Sequence, residues 1–284
     1  MELNTAAGYW EPHTSSVDFC ESNYLHYNSI VEYHNTWSSI FGITAFGIIG
    51  ILYNNPTKEL RTIVAYGILA LIGIGSAGLH GSLHWVYQSS DELPMIFLCN
   101  AVTFMIIEHD APHGKPHQPR LPFYYGAMSL LQTVIYFQFQ DYYLIFLLAF
   151  ASGVFGLLYK LHFLIVERGH RRGLISKKLG WMAVSTFLGI GFPVWLMDMH
   201  FCHSYLGFVN DLPGMLRGMT PHVLWHFVAA YASYCSVACA VACRLEELKI
   251  PFRLEYLFGC VPITTIGMKV KAESTQPFPS YQRK

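Results

Sequence analysis

Seven apolar stretches run through residues 36–53, 62–85, 93–107, 121–137, 142–158, 179–197 and 221–243. A hydrocarbon core of about 30 Å asks for roughly 20 such residues per helix, and backbone polar groups in lipid must be bonded within their own segment. The expected fold is therefore an all-α membrane protein, a seven-transmembrane-helix bundle in which the third and fourth spans are short. Composition agrees. Charged residues make up 13% of the 284 positions, against about 25% in soluble domains, and mean hydropathy is +0.33. Eighteen Lys and Arg balance eighteen Asp and Glu, which excludes a basic nucleic-acid face and an acidic disordered chain. Seven cysteines are too sparse for a disulfide scaffold.

Alternating the spans puts segments 54–61, 108–120, 159–178 and 244–284 on one side, and these carry 17 of the 18 basic residues; Arg217 alone lies opposite. Basic residues accumulate on the cytoplasmic side, so the N terminus is expected to face the lumen or exterior and the C terminus the cytosol. Three parts follow: a lumenal segment 1–35, a transmembrane catalytic region 36–243, and a cytosolic tail 244–284, polar and disordered in character from about residue 273. The first segment has neither a basic n-region nor an apolar h-region, so it does not read as a signal peptide.

Polar residues at membrane depth default to function. Ser76 and His80 lie four apart on the second span, His222 and His226 four apart on the seventh, and Asp91 precedes the third. The alternation places all five in the outer half. Three neutral imidazoles suit a catalytic zinc that keeps a fourth position for water, with a carboxylate to take a proton and a hydroxyl for an oxyanion. Spacing alone leaves a second reading open, in which the histidines hydrogen-bond between helices. It also leaves His84, on the same stripe as His80, as an alternative ligand. Asp18, Glu21, Asn23 and Glu32 give hard oxygen ligands suited to calcium, but without EF-hand spacing they read on their own as a solvated acidic segment.

At these residues the chain resembles the alkaline ceramidase family. The resemblance is carried by Gly8-Tyr9-Trp10, by Thr14 through Tyr24, by Glu32, Asn35-Thr36 and Gly75-Ser76 leading to His80, and by Asp91-Glu92-Leu93-Pro94-Met95. Asp198 and Cys202, ahead of His222-Val223-Leu224-Trp225-His226, complete it. It implies a seven-helix intramembrane amidase that cleaves ceramide to a sphingoid base and a free fatty acid. In that scheme His80, His222 and His226 bind zinc, Asp91 is the general base and Ser76 the oxyanion partner. Asp18, Glu21, Asn23 and Glu32, with the carbonyl of Phe19, hold calcium. Phe19 departs from the family's usual Trp, and Glu11 from its usual Gly. The expected setting is a multi-pass protein of the endoplasmic reticulum or Golgi membrane, with a ceramide-type lipid in the bilayer as partner and no nucleic acid or protein partner. The alternatives are a hydrolase of another lipid amide or ester, and a seven-helix lipid receptor or sensor.

Cys20 and Cys202 both fall on the oxidising side and are expected to be bonded. Cys235, Cys239 and Cys243 read as small residues at a helix contact, with Cys243 an acylation candidate at the cytosolic edge. His109, His113 and His117 read as solvated, the basic run Arg168, Arg171, Arg172, Lys177 and Lys178 as touching anionic lipid. Asp198 reads either as a partner of a zinc-bound histidine or as a carboxylate facing water.

Overall fold

The computed structural model of the chain describes residues 8–112, 117–167, 169 and 172–266. Seven long helical runs follow one another: α1 (Tyr33–Tyr53), α2 (Leu60–Ser82), α3 (Trp85–Ile107), α4 (Leu121–Gln138), α5 (Tyr143–Val166), α6 (Leu174–Asn210) and α7 (Pro221–Glu247). Among the described residues six of them are long and apolar enough to cross a membrane. The exception is α4, whose 18 residues are diluted by a proline, tyrosines and glutamines. Large apolar side chains such as Leu52, Ile74, Leu130, Leu144 and Phe155 stand on the outside. Such a belt would be a liability in water and is what a helix bundle presents to lipid.

The centre of the bundle is α7. Tyr234, Cys235, Val237, Ala238, Cys239, Ala242 and Cys243 are all fully buried, and their mostly small side chains let neighbouring helices approach. This settles Cys235 and Cys239 as packing residues. It corrects the expectation for Cys243, which has no surface to offer for acylation.

Two local devices set the geometry of the outer end. The first ends α2. Leu83 adopts a left-handed backbone, φ 48°, which L-residues resist; its N–H returns to the Leu79 carbonyl at 2.6 Å and its own carbonyl accepts the amides of Thr14 and Ser15, each at 3.0 Å. The second joins α2 to α3. Pro94 lies inside α3 and has no N–H for the Ser90 carbonyl four residues back. Gly75 of α2 packs against that carbonyl so closely that a Cβ would sit 2.1 Å from it. A proline and a glycine thus bring the polar turn of α3 onto that of α2.

The tail departs from an all-α fold. Strands β1 (Phe252–Leu257) and β2 (Val261–Ile266) form an antiparallel hairpin, with Phe252 opposite Ile266 and Leu257 opposite Val261. Positive φ at Phe258 and Gly259 makes the turn. The hairpin packs on α7 and α1 because polar side chains there find its backbone. Tyr234 donates to the Pro262 carbonyl (2.8 Å) and Tyr231 to that of Cys260 (3.1 Å), while Asn54 Oδ1 accepts the Thr264 amide (3.0 Å). The stretch expected to be disordered from about residue 273 lies outside the described residues.

At the same end, two expectations are corrected. His109 is buried, not solvated; it accepts from Arg172 Nη2 at 2.7 Å. Arg172 is likewise buried and paired with Glu247 at 2.8 Å, so it does not face lipid. Arg244 of α7 bonds Glu59 at 3.0 Å. Buried cations persist when each meets a carboxylate or carbonyl, and the acidic partners here were distant in sequence. His113 lies outside the described residues, and His117 is exposed.

Candidate active site

The end of α2 and the start of α7 lie side by side, which brings His80, His222 and His226 together. Their ring centroids are 4.7–5.2 Å apart. One ligand atom from each lies within 4.8 Å of the others, and all three residues are buried. The Nδ1 side of each ring faces a carboxylate or a hydroxyl, although that of His222 makes no hydrogen bond to its neighbour. Glu32 Oε2 is 2.5 Å from His80 Nδ1. Ser38 Oγ is 2.7 Å from His226 Nδ1, and Asp198 Oδ2 is 3.4 Å from His222 Nδ1. Carboxylate and hydroxyl partners on one ring nitrogen fix the tautomer and turn the other nitrogen's lone pair to a metal. On His80 that other nitrogen, Nε2, is buried and has no protein partner. An orphaned, buried imidazole nitrogen among three converging rings fits a metal ion, and nitrogen ligands suit zinc.

Sequence reading had missed Ser38 and Ser39. A π-helical turn over Ser39–Thr44 in α1 carries both serines onto the histidines, as such turns often do at functional sites. The Ser39 and Ser76 hydroxyls are 3.0 Å apart, and Ser76 in turn lies beside the Asp91 carboxylate. The only advance signal was two hydroxyls in an otherwise apolar span. His84 is excluded as a ligand: the turn at Leu83 takes it off the α2 stripe, and it caps α3 instead, bonding the Val86 amide.

Asp198 of α6 is buried, which decides between its two expected settings: it does not face water. Besides His222 it meets the Cys20 amide (3.4 Å) and the Tyr205 hydroxyl (3.0 Å). One turn further on, Cys202 is disulfide-bonded to Cys20, so the first segment is stitched covalently to α6 beside the site. Phe19, expected to matter through its carbonyl, contributes its ring, centred 4.3 Å from that of His222 and 4.7 Å from that of His80.

The other acidic residues of the first segment are placed as follows. Glu21 is buried, and its two oxygens accept the His34 and Asn35 amides at 2.7 and 2.8 Å, where α1 begins with unbonded N–H groups. Burial pushes its carboxyl up to about 8 against those two hydrogen bonds, with Glu32 and Asp198 adding to the rise. The Phe19 amide is shared between Asp18 Oδ1 (3.0 Å) and Glu32 Oε1 (3.2 Å). Asp18 and Asn23 are exposed. Among the described residues no Lys or Arg pairs with Asp18, Glu21 or Glu32.

From the histidines a cleft runs into the bundle. Its walls are mainly apolar, among them Leu69, Leu98, Phe146, Phe150, Phe187 and Trp225, while Ser76, Asp91, Glu92, His222 and His226 are among its polar residues. A metal-type centre with an acid and a hydroxyl at the head of a greasy cleft can polarise a carbonyl, deprotonate water and accommodate acyl chains.

Membrane-type helices around such a centre make this an integral-membrane hydrolase. The ceramidase family profile matches residues 11–261. Alkaline ceramidase 3 of Mus musculus is 30% identical over 260 residues, which cover 90% of this chain and 93% of the mouse protein. The alkaline ceramidase of Arabidopsis thaliana is 26% identical, with coverage of 92% and 96%. The chain belongs to the ceramidase family, hydrolases that act on the ceramide amide bond.

Proposed function

We propose that the chain is a zinc-dependent amidase that cleaves ceramide inside the bilayer to a sphingoid base and a fatty acid. The observation that carries this reading is the convergence of His80 with His222 and His226, the latter two lining an apolar cleft. His80, His222 and His226 would hold zinc, which supplies Lewis acidity and an acidified water when bound. Asp91 takes a proton from the attacking water as the C–O bond forms, and returns it to the nitrogen as the C–N bond then breaks. The Ser76 hydroxyl donates to the oxygen on which negative charge develops. The apolar walls hold the acyl and sphingoid chains and keep bulk water out.

The membrane arrangement proposed with it is seven spans, α4 included, with the N terminus lumenal and the C terminus cytosolic, in the endoplasmic reticulum or Golgi. The one-sided distribution of Lys and Arg supports that orientation. Calcium is proposed for Asp18, Glu21, Asn23, Glu32 and the Phe19 carbonyl. The support is a set of crowded carboxylates with no Lys or Arg partner.

The deciding experiment measures metal content and turnover of a ceramide panel on one purified sample. Stoichiometric zinc, with activity lost on chelation and restored by zinc, is expected. Protein free of zinc and inert towards every ceramide would overturn the proposal in favour of a receptor.

A further inference from the structure

Glu92 follows Asp91 on α3, and both line the cleft. It is 4% exposed and takes no part in the proton transfers above. Its carboxylate is held from two sides: Gln88 Nε2 donates to Oε1 at 2.9 Å and Tyr136 of α4 donates to Oε2 at 2.7 Å. Gln88 is itself fixed by Ser16, whose amide donates to Gln88 Oε1 at 2.8 Å. What is missing is a cation. No Lys or Arg lines the cleft, and among the described residues no ion pair involves Glu92. A buried carboxylate without a counter-charge is costly and at membrane depth marks a ligand path. Two donors occupy two of its roughly four acceptor positions, so two remain.

We infer that Glu92 is the binding site for the amino head of a long-chain amine, the group that amide cleavage in this cleft releases. The inference rests on the amidase reading. The walls fit the alkyl chain, and the Glu92 carboxylate supplies a counter-charge that is free of the proton transfers assigned to Asp91 beside it. The balance is simple. Hydrolysis yields a carboxylic acid and an amine; the acid's proton passes to the amine, leaving a fatty carboxylate and the ammonium that pairs with the Glu92 carboxylate. In the uncleaved substrate, the remaining acceptor positions suit the hydroxyls beside the amide nitrogen. Glu92 would thus place the head group while Asp91 handles the proton.

The test compares octadecylamine, octadecanol and octadecanoic acid, as ligands by thermal shift and as inhibitors of ceramide turnover, on the zinc-loaded protein. A hydrogen-bonded ion pair should make the amine bind about tenfold or more tighter than the alcohol of equal length. Glu92→Gln, with zinc content retained, should bring the two to near equality. Tyr136→Phe removes a donor but keeps the carboxylate, and should keep the amine preference. An amine no better than the alcohol on the wild-type protein, or a preference that survives Glu92→Gln, overturns the inference. If Glu92→Gln does not fold, the wild-type comparison and Tyr136→Phe still decide. Amine preference without any ceramide turnover would instead remove the amidase reading and leave the Glu92 site standing.

Discussion

The Glu32 carboxylate lies 2.5 Å from the Nδ1 of His80, and its other oxygen accepts the Phe19 amide. One side chain therefore links the first segment to the histidine cluster. Removing a carboxylate that orients a metal-bound histidine costs about 10–100-fold in metal affinity. Glu32→Ala should weaken zinc binding by that order, read by competition with a chelator. Unchanged affinity would reduce Glu32 to a structural cap.

His222→Ala should lose zinc and ceramidase activity together, because two imidazoles do not hold a catalytic zinc that three hold. Metal analysis and turnover on the same preparation check it. Activity at wild-type level in a zinc-free variant would dismantle the site assignment.

Glu21 gives a pH dependence with a definite sign. Its folded value, about 8, lies above the ordinary 4.5, so its contribution to the calcium-free fold is complete below about 4.5 and is lost as pH rises through about 8. With the proposed calcium bound, the ion would take the place of the proton, so calcium affinity should climb with pH and level off beyond about 8. Thermal melts across this window, with a chelator and with calcium, read both effects. Chelator melts that hold level or strengthen with pH would contradict the assignment, and Glu21→Gln should abolish the calcium-linked slope.

Gly75→Ala would press a methyl into the Ser90 carbonyl. Overpacking of this kind costs about 1–3 kcal/mol, and here the strain moves the turn that carries Asp91. The variant should lower Tm and reduce kcat more than KM. Wild-type kcat in a destabilised variant would show that Asp91 tolerates the shift.

The Cys20–Cys202 bond spans 182 residues of chain. Closing so long a loop is worth about 2–5 kcal/mol, and the same bond holds Cys20 next to Asp198. Cys202→Ser should lower Tm and weaken zinc binding; reductant should do the same to the wild-type protein and nothing further to the variant. Loss of Tm with zinc affinity intact would separate the two roles.

Much of the candidate site was legible before the fold was known. His80 with Ser76 and His222 with His226 sit one helical turn apart, and chain alternation placed both pairs and Asp91 at one depth. The spacing could not choose between His80 and His84, because that choice rests on the left-handed turn at Leu83. His109 and Arg172 were misjudged for a related reason. Their polarity suggested solvent or headgroups, and the partners that bury them come from α7.

Hydropathy and charge placement along the chain determined which segments form helices and which residues meet at one end, because lipid requires each spanning segment to satisfy its own backbone. Only the tertiary structure decided that His80 Nε2 is left without a protein partner, that Ser38 and Ser39 reach the cluster, that Cys20 reaches Cys202, and that Glu92 faces a cleft without a cation. These are relations between side chains up to 188 residues apart, as from Ser38 to His226. Helix packing sets them, and local spacing carries no record of it.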